Sequence, residues 1–203
     1  MKKQLVLGTK NKDKLRELKR LMKGSGIKVL SLQDFTKGKE AAETGKTFDA
    51  NARIKARAYS RHTQALTLAD DSGLMINALN GKPGVYSARF AGPGCAYQDN
   101  NAKALRLLKN TPAAKRKAKF VCVMALYDAG KFVASVRGEC AGKIAFAARG
   151  KNGFGYDPIF IPRGRTKTYA QLSKSSKNKI SHRARALRAA IKVILKYLKT
   201  SCL

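Results

Sequence analysis

The sequence predicts an α/β protein with a mixed, elongated sheet flanked by helices, folded as two lobes around a central cleft. Three observations carry this prediction. Short apolar runs such as QLVLGT (Gln4 to Thr9) alternate with segments whose apolar residues recur at helical spacing. Two longer runs, KAKFVCVMALYD and GKFVASVRGECAGKIA, have period-two character and meet at Ala129-Gly130, as antiparallel strands joined by a tight turn do. The 203 residues, 44% of them apolar, suffice for a real core, and no repeat or low-complexity linker interrupts them. Residues 1–203 are therefore read as a single domain.

Taken in order, Gln4 to Thr9 reads as a buried strand. NKDKLRELKRLMKGSG then reads as a helix with Leu15, Leu18, Leu21 and Met22 on one face and Gly24 and Gly26 to stop it. Lys28 to Leu32 is a second strand, and Gln33 to Lys46 a polar loop. TFDANARIKARAYSRHT is a helix capped by Thr47, with Ala52, Ala56 and Tyr59 on one face. ALTLADDSGL is a strand ending in a turn at Asp70 to Gly73, since Asp-Asp-Ser-Gly is ordinary turn chemistry. MINALNG is a short strand running into a Gly turn, GVYSARFAG leads to a loop, and Tyr97 to Asn110 is a helix. GFGYDPIFIP is a loop into a short strand. The last helix spans SSKNKISHRARALRAAIKVILKYLK, with Ser181 as a cap and Ala184, Leu187, Ile191, Ile194, Leu195 and Leu198 as its apolar stripe.

Charge is the oddest bulk property. Forty-three Lys and Arg against 12 Asp and Glu give a formal charge of +31. Such a field repels itself and draws polyanions, but charge alone does not choose between a solvated surface and non-specific binding of nucleic acid. The cations are spread along the whole chain, and no aromatic-basic repeat marks a base-stacking platform. No apolar run reaches the length of a membrane span. The apolar run of the first residues, Leu5 to Leu7, is too short for a signal peptide. A cytoplasmic protein with no membrane partner is the expectation. Four widely separated cysteines with no CxxC pair argue against zinc-ribbon and redox chemistry.

Four stretches hold groups able to do chemistry. GTKNKDK places Thr9, Asn11 and Lys14, with Lys10, Lys12 and Asp13 between and beside them, where a strand turns into a helix. Hydroxyl, amide, ammonium and helix N–H groups there suit phosphate oxygens. By itself this is also an ordinary polar turn. Asp70 and Asp71 are adjacent carboxylates at the end of an apolar run, and like charges so close call for a cation. Mg²⁺ fits, with one Asp on the metal orienting water and the other fixing the turn. FGYD offers Phe154 and Tyr156 for stacking and Asp157 as an acceptor. Ser181, His182 and Arg183 open the last helix with donors for ring oxygens, although a lone His is more often a cap or core residue.

Read together and in order, TKNKDK, TGKTFDANARIKA, ADDSGL, GKPGVYSARFAG, GFGYDPIF and KNKISHRARAL resemble the inosine/xanthosine triphosphate pyrophosphatase family, from Leu5 to about Leu198. The resemblance implies a nucleotide-binding cleft and Mg²⁺-dependent cleavage of ITP, dITP or XTP to the monophosphate and pyrophosphate. It implies that Asp71 is the base and metal ligand, and that Lys14 and Lys55 face the phosphates with Ser72. It gives Phe154 the purine stack, Gly155, Tyr156 and Asp157 the rest of the base loop, and Lys177, His182 and Arg183 the donors around the base. It also implies a homodimer. Departures mostly remove negative charge. Ala42-Glu43-Thr44-Gly45 stands where many members have Glu-Glu-Thr-Gly, leaving Glu43, or Glu40 reaching in, beside Asp71 as metal carboxylate. The rival expectation is a weakened or inactive cationic form of the fold that binds polyanions.

Overall fold

The computed structural model describes residues 4–35 and 41–200; Glu40 and Cys202 lie outside them. The strands are β1 (Gln4–Leu7), β2 (Lys28–Ser31), β3 (Thr67–Ile76), β4 (Lys117–Asp128), β5 (Lys131–Ile144) and β6 (Phe160–Pro162). The helices are α1 (Lys12–Met22), α2 (Phe48–Thr63), α3 (Tyr97–Leu107), α4 (Lys174–Ile180) and α5 (His182–Thr200). The strand order is β2-β1-β3-β4-β5-β6. β1 is parallel to β2 and β3, and β6 is antiparallel to β5, so the sheet is mixed. Two compact units share the chain. Unit 1 holds the described residues up to Asp71, Cys122–Gly138 and those from Ala184; unit 2 holds Ser72–Val121 and Glu139–Arg183.

Unit 1 buries alternate strand residues against two helical stripes. Leu5 and Leu7 of β1 and Cys122, Met124 and Leu126 of β4 point to one face, as a period of two requires. Leu18 and Met22 of α1 and Leu187, Ala190 and Ile194 of α5 cover them. Asn11 caps α1, its Oδ1 accepting from the amides of Asp13 and Lys14 at 3.0 Å each. Thr47 caps α2 through the Ala50 amide. A Cβ at Gly8 would stand 2.9 Å from the Tyr59 ring, so glycine lets α2 close on the end of β1. At the β4–β5 hairpin, Ala129 (φ 43°) and Gly130 (φ 86°) are both left-handed. The first carries a Cβ in a conformation that costs about 1–2 kcal/mol for an L-residue. The Gly130 amide donates to Ser60 Oγ at 3.0 Å, which ties the hairpin to α2.

Unit 2 packs Leu74 and Ile76 of β3, Phe120 of β4, Ile144 of β5, Phe160 of β6 and Tyr169 into a second core. Its other anchor is a cation. Arg116 is 1% exposed. Its guanidinium donates to the carbonyls of Ile144, Leu108, Thr111 and Ala145 at 2.7–3.2 Å. Burial pushes its pKa down from the usual guanidinium value.

Two expectations are overturned. No turn occurs at Asp70 to Gly73: β3 runs unbroken from Thr67 to Ile76, MINALNG included in part. Its middle is buried, and tertiary pairing of the two carboxylates overrides the turn chemistry of Asp-Asp-Ser-Gly. The last helix is two helices, because Ser181 adopts an extended backbone (ψ 152°) between α4 and α5. Among the described residues no helix is long and apolar enough to cross a membrane.

Candidate active site

In unit 1, the first half of β3, Thr67 to Asp71, meets α1 and α2. Successive strand residues face opposite ways, and the two carboxylates have different partners. The Lys14 ammonium lies 3.0 Å from Asp70 Oδ2, whose side chain is 1% exposed. Asn51 Nδ2 donates to Asp71 Oδ2 at 3.1 Å, and the Lys55 ammonium lies 3.6 Å from Asp71 Oδ1. The like-charge conflict read from the sequence is thus met by two lysines of the chain itself. Asp70 does not fix a turn; it pairs with Lys14.

Lys55 also donates to Glu43 Oε1 at 2.5 Å. One ammonium therefore gathers Glu43 and Asp71. Burial raises the proton affinity of Asp71, which Lys55 and Lys14 oppose. Burial alone would lower Lys55, but the carboxylates of Asp70, Asp71 and Glu43 outweigh it and raise its pKa. Asn51, which sequence reading missed, is 1% exposed and holds two segments. Its Oδ1 accepts from the Gly45 amide at 2.8 Å while its Nδ2 serves Asp71. Its spacing of four from Lys55 on α2 was the available signal, since such residues share a helix face. Thr9 Oγ1 accepts from the Asn11 amide at 3.2 Å. Lys10 and Lys12 are exposed, and Asp13 sits 3.6 Å from Arg16.

In unit 2, the loop before β6 presents Phe154. Its ring has the Lys177 ammonium 5.2 Å and the Arg183 guanidinium 5.3 Å from its centroid, with Tyr97 of α3 at 6.0 Å. Asp157 Oδ2 takes the Phe154 amide at 2.9 Å and the Lys177 ammonium at 2.7 Å. A Cβ on Gly153 would lie 1.9 Å from that oxygen, so only glycine fits beside it. Asn101 Nδ2 donates to the Gly155 carbonyl at 3.0 Å. His182 is 3% exposed and stacks on Phe120 at 4.5 Å, their planes 6° apart. Tyr156 does not offer a stacking face. It is buried in the unit 2 core, and its hydroxyl donates to the Ser87 carbonyl at 3.0 Å. Ser72 is the first residue of unit 2, half-buried in β3.

A phosphate-type turn and paired carboxylates on one unit, with an aromatic-cation loop on the other, are features of a nucleotide-handling α/β protein. The chain belongs to the Ham1 family, which it matches over residues 5–193. It is 50% identical over 188 residues to the dITP/XTP pyrophosphatase of Bacillus cereus, covering 92% of each chain. It is 43% identical over 196 residues to that of Thermoanaerobacter pseudethanolicus, covering 97% of this chain and 98% of the other. Among solved structures, the Ham1 protein of Staphylococcus aureus matches with a TM-score of 0.85 at 37% identity, over 96% of this chain and 100% of that one. A HAM1 protein from Coxiella burnetii matches with a TM-score of 0.85 at 40% identity, over 96% and 99%.

Proposed function

We propose that this chain hydrolyses the deaminated purine nucleotides ITP, dITP and XTP to their monophosphates and pyrophosphate. The observation that carries this is Asp71, a buried carboxylate held between the Asn51 amide and the Lys55 ammonium. The Lys14 and Lys55 set of unit 1 suits a triphosphate, and the Phe154 loop of unit 2 suits a purine.

In the reaction, a water oxygen bonds to the α phosphorus and the α–β bridging P–O bond breaks, releasing pyrophosphate. Asp71 takes the water proton, a role that its burial-raised proton affinity supports. Lys14, Lys55 and the amides at the start of α1 offset charge on the phosphates. Thr9, Asn11 and Ser72 orient them.

The family resemblance brings Mg²⁺ with it. Among the described residues no three His, Cys, Asp or Glu side chains group closely enough to hold a metal alone. Glu43 and Asp71 nevertheless converge on one cation, the Lys55 ammonium. These two carboxylates would hold Mg²⁺, a hard cation that takes oxygen ligands. When bound, Mg²⁺ neutralises charge on the phosphate oxygens.

On the base side, Phe154 gives the stacking face, and Lys177, His182 and Arg183 supply donors for the 6-oxo group. An adenine amino group would set donor against donor, a mismatch worth roughly 10⁴-fold in a site built for hydrogen bonding. A homodimer and a cytoplasmic setting belong to the same reading. Pyrophosphate release from ITP with Mg²⁺ tests it. Asp71→Asn should lose about 10²–10⁴-fold in kcat. Equal turnover by wild type and variant would remove Asp71 from the chemistry. No wild-type turnover would turn the reading to a cationic binder.

A further inference from the structure

Unit 2 carries a second cationic surface, made of residues that the reaction does not use. A groove of about 740 Å³ is lined by Lys117 and Lys119 at the start of β4, Lys143 near the end of β5, and Arg163 and Arg165 just after β6. No carboxylate lines it. Lys119 is matched by Glu139 at 3.1 Å. Among the described residues, Lys117, Lys143, Arg163 and Arg165 have no acidic partner, and all four are exposed. Besides the cations the lining is mostly apolar, with Ala118, Ala141, Ile161 and Pro162, and carries one amide, Asn77. Lys143 stands opposite Ile161 in the β5–β6 register, so cation and apolar surface alternate. A Cβ at Gly164 would meet nothing within 4 Å, which leaves that rim open to a ligand.

Four unmatched cations around one concavity repel one another, and an anion with several linked charges relieves this better than a single phosphate. The apolar lining suits sugars and base edges, which inorganic polyphosphate lacks. No aromatic side chain lines the groove, so bases have no stacking platform and sequence goes unread. We propose that this groove binds single-stranded nucleic acid along its phosphodiester backbone, without sequence preference. The inference is separate from the pyrophosphatase reading, because none of its residues belongs to that site.

The test is the salt dependence of binding to a fluorescent thymidine oligomer, with no nucleoside triphosphate present. One variant combines Lys117→Gln, Lys143→Gln, Arg163→Gln and Arg165→Gln. A control removes the same charge from exposed positions of unit 1 through Lys23→Gln, Lys192→Gln, Lys196→Gln and Lys199→Gln. At about 0.7 counterions per contact on a single strand, the groove variant should lose about 3 units of log–log salt slope. Its affinity at about 0.1 M salt should fall roughly 10²–10³-fold, against less than about tenfold for the control. Equal losses in the two variants would overturn the proposal, since bulk charge alone would then explain binding. Stronger binding of polyphosphate with the same number of phosphates would overturn the choice of ligand. Should the quadruple variant fail to fold, the pairs Lys117/Lys143 and Arg163/Arg165 should each remove about half the slope change. No change in either pair would equally refute the groove.

Discussion

Replacing Lys177 by Met removes the ammonium from a carboxylate that has almost no access to water. The two charges lie 2.7 Å apart, with side chains 10% and 3% exposed. Breaking a buried pair costs about 3–5 kcal/mol, because the surviving charge stays desolvated. Asp157 keeps the Phe154 amide at 2.9 Å, which places the expected loss at the low end, about 3 kcal/mol. That is roughly a hundredfold shift in the folding equilibrium. Asp157→Asn leaves the ammonium over the rings of Phe154 and Tyr169, at 5.2 and 5.5 Å. Their attraction for the cation limits the expected cost to about 2 kcal/mol. The double variant buries neither charge and should lose about 2 kcal/mol, giving a coupling of about 3 kcal/mol. Urea unfolding of the four proteins at one salt concentration measures each value. Additive losses, or single variants within about 1 kcal/mol of wild type, would refute the pair as the fastening of the 153–157 loop.

Three further outcomes are expected. Burial, with Cys95 adding to it, raises the Tyr156 phenol above its ordinary value, so the folded chain keeps a proton that the unfolded chain releases. Stability should fall as pH rises through about 10, and Tyr156→Phe should flatten that fall in melting curves between about pH 9 and 11; parallel curves would contradict it. Ala129→Gly should raise the urea midpoint by an amount worth about 0.5–1 kcal/mol, because relief of left-handed strain exceeds the added freedom of the unfolded chain; a lower midpoint would show the strain to be absent. At +31, self-repulsion should make the melting temperature rise between about 10 and 200 mM salt, and a falling one would count against it.

Local patterns foretold much of this molecule. The stripe of Leu15, Leu18, Leu21 and Met22, the Thr47 cap and the Ala129-Gly130 turn all depend on neighbours in sequence, and α1, α2 and the β4–β5 hairpin formed where those patterns lay. What failed depended on distant partners. Asp70 and Asp71 read as a turn because nothing beside them shows that Lys14 and Lys55 will come to them. Tyr156 read as a stacking residue because the Ser87 carbonyl lies 69 residues away in sequence. Asn51 was missed for the same reason, its spacing from Lys55 being the one local sign. Resemblance named Asp71 and Lys55 as site residues, but not the amide that holds the carboxylate.

Arg116 shows a different use of positive charge from that of the exposed lysines. In a chain with so few carboxylates, four peptide oxygens take the place of a counter-anion. These dipoles carry no net charge and sit away from the ionic atmosphere, so this contact should hold when salt weakens the surface pairs. A lysine there would offer one compact group instead of a flat fork and could not span the same carbonyls. The position should thus tolerate neither the loss of its charge nor its most similar replacement, although composition alone would count it as one more basic residue among 43.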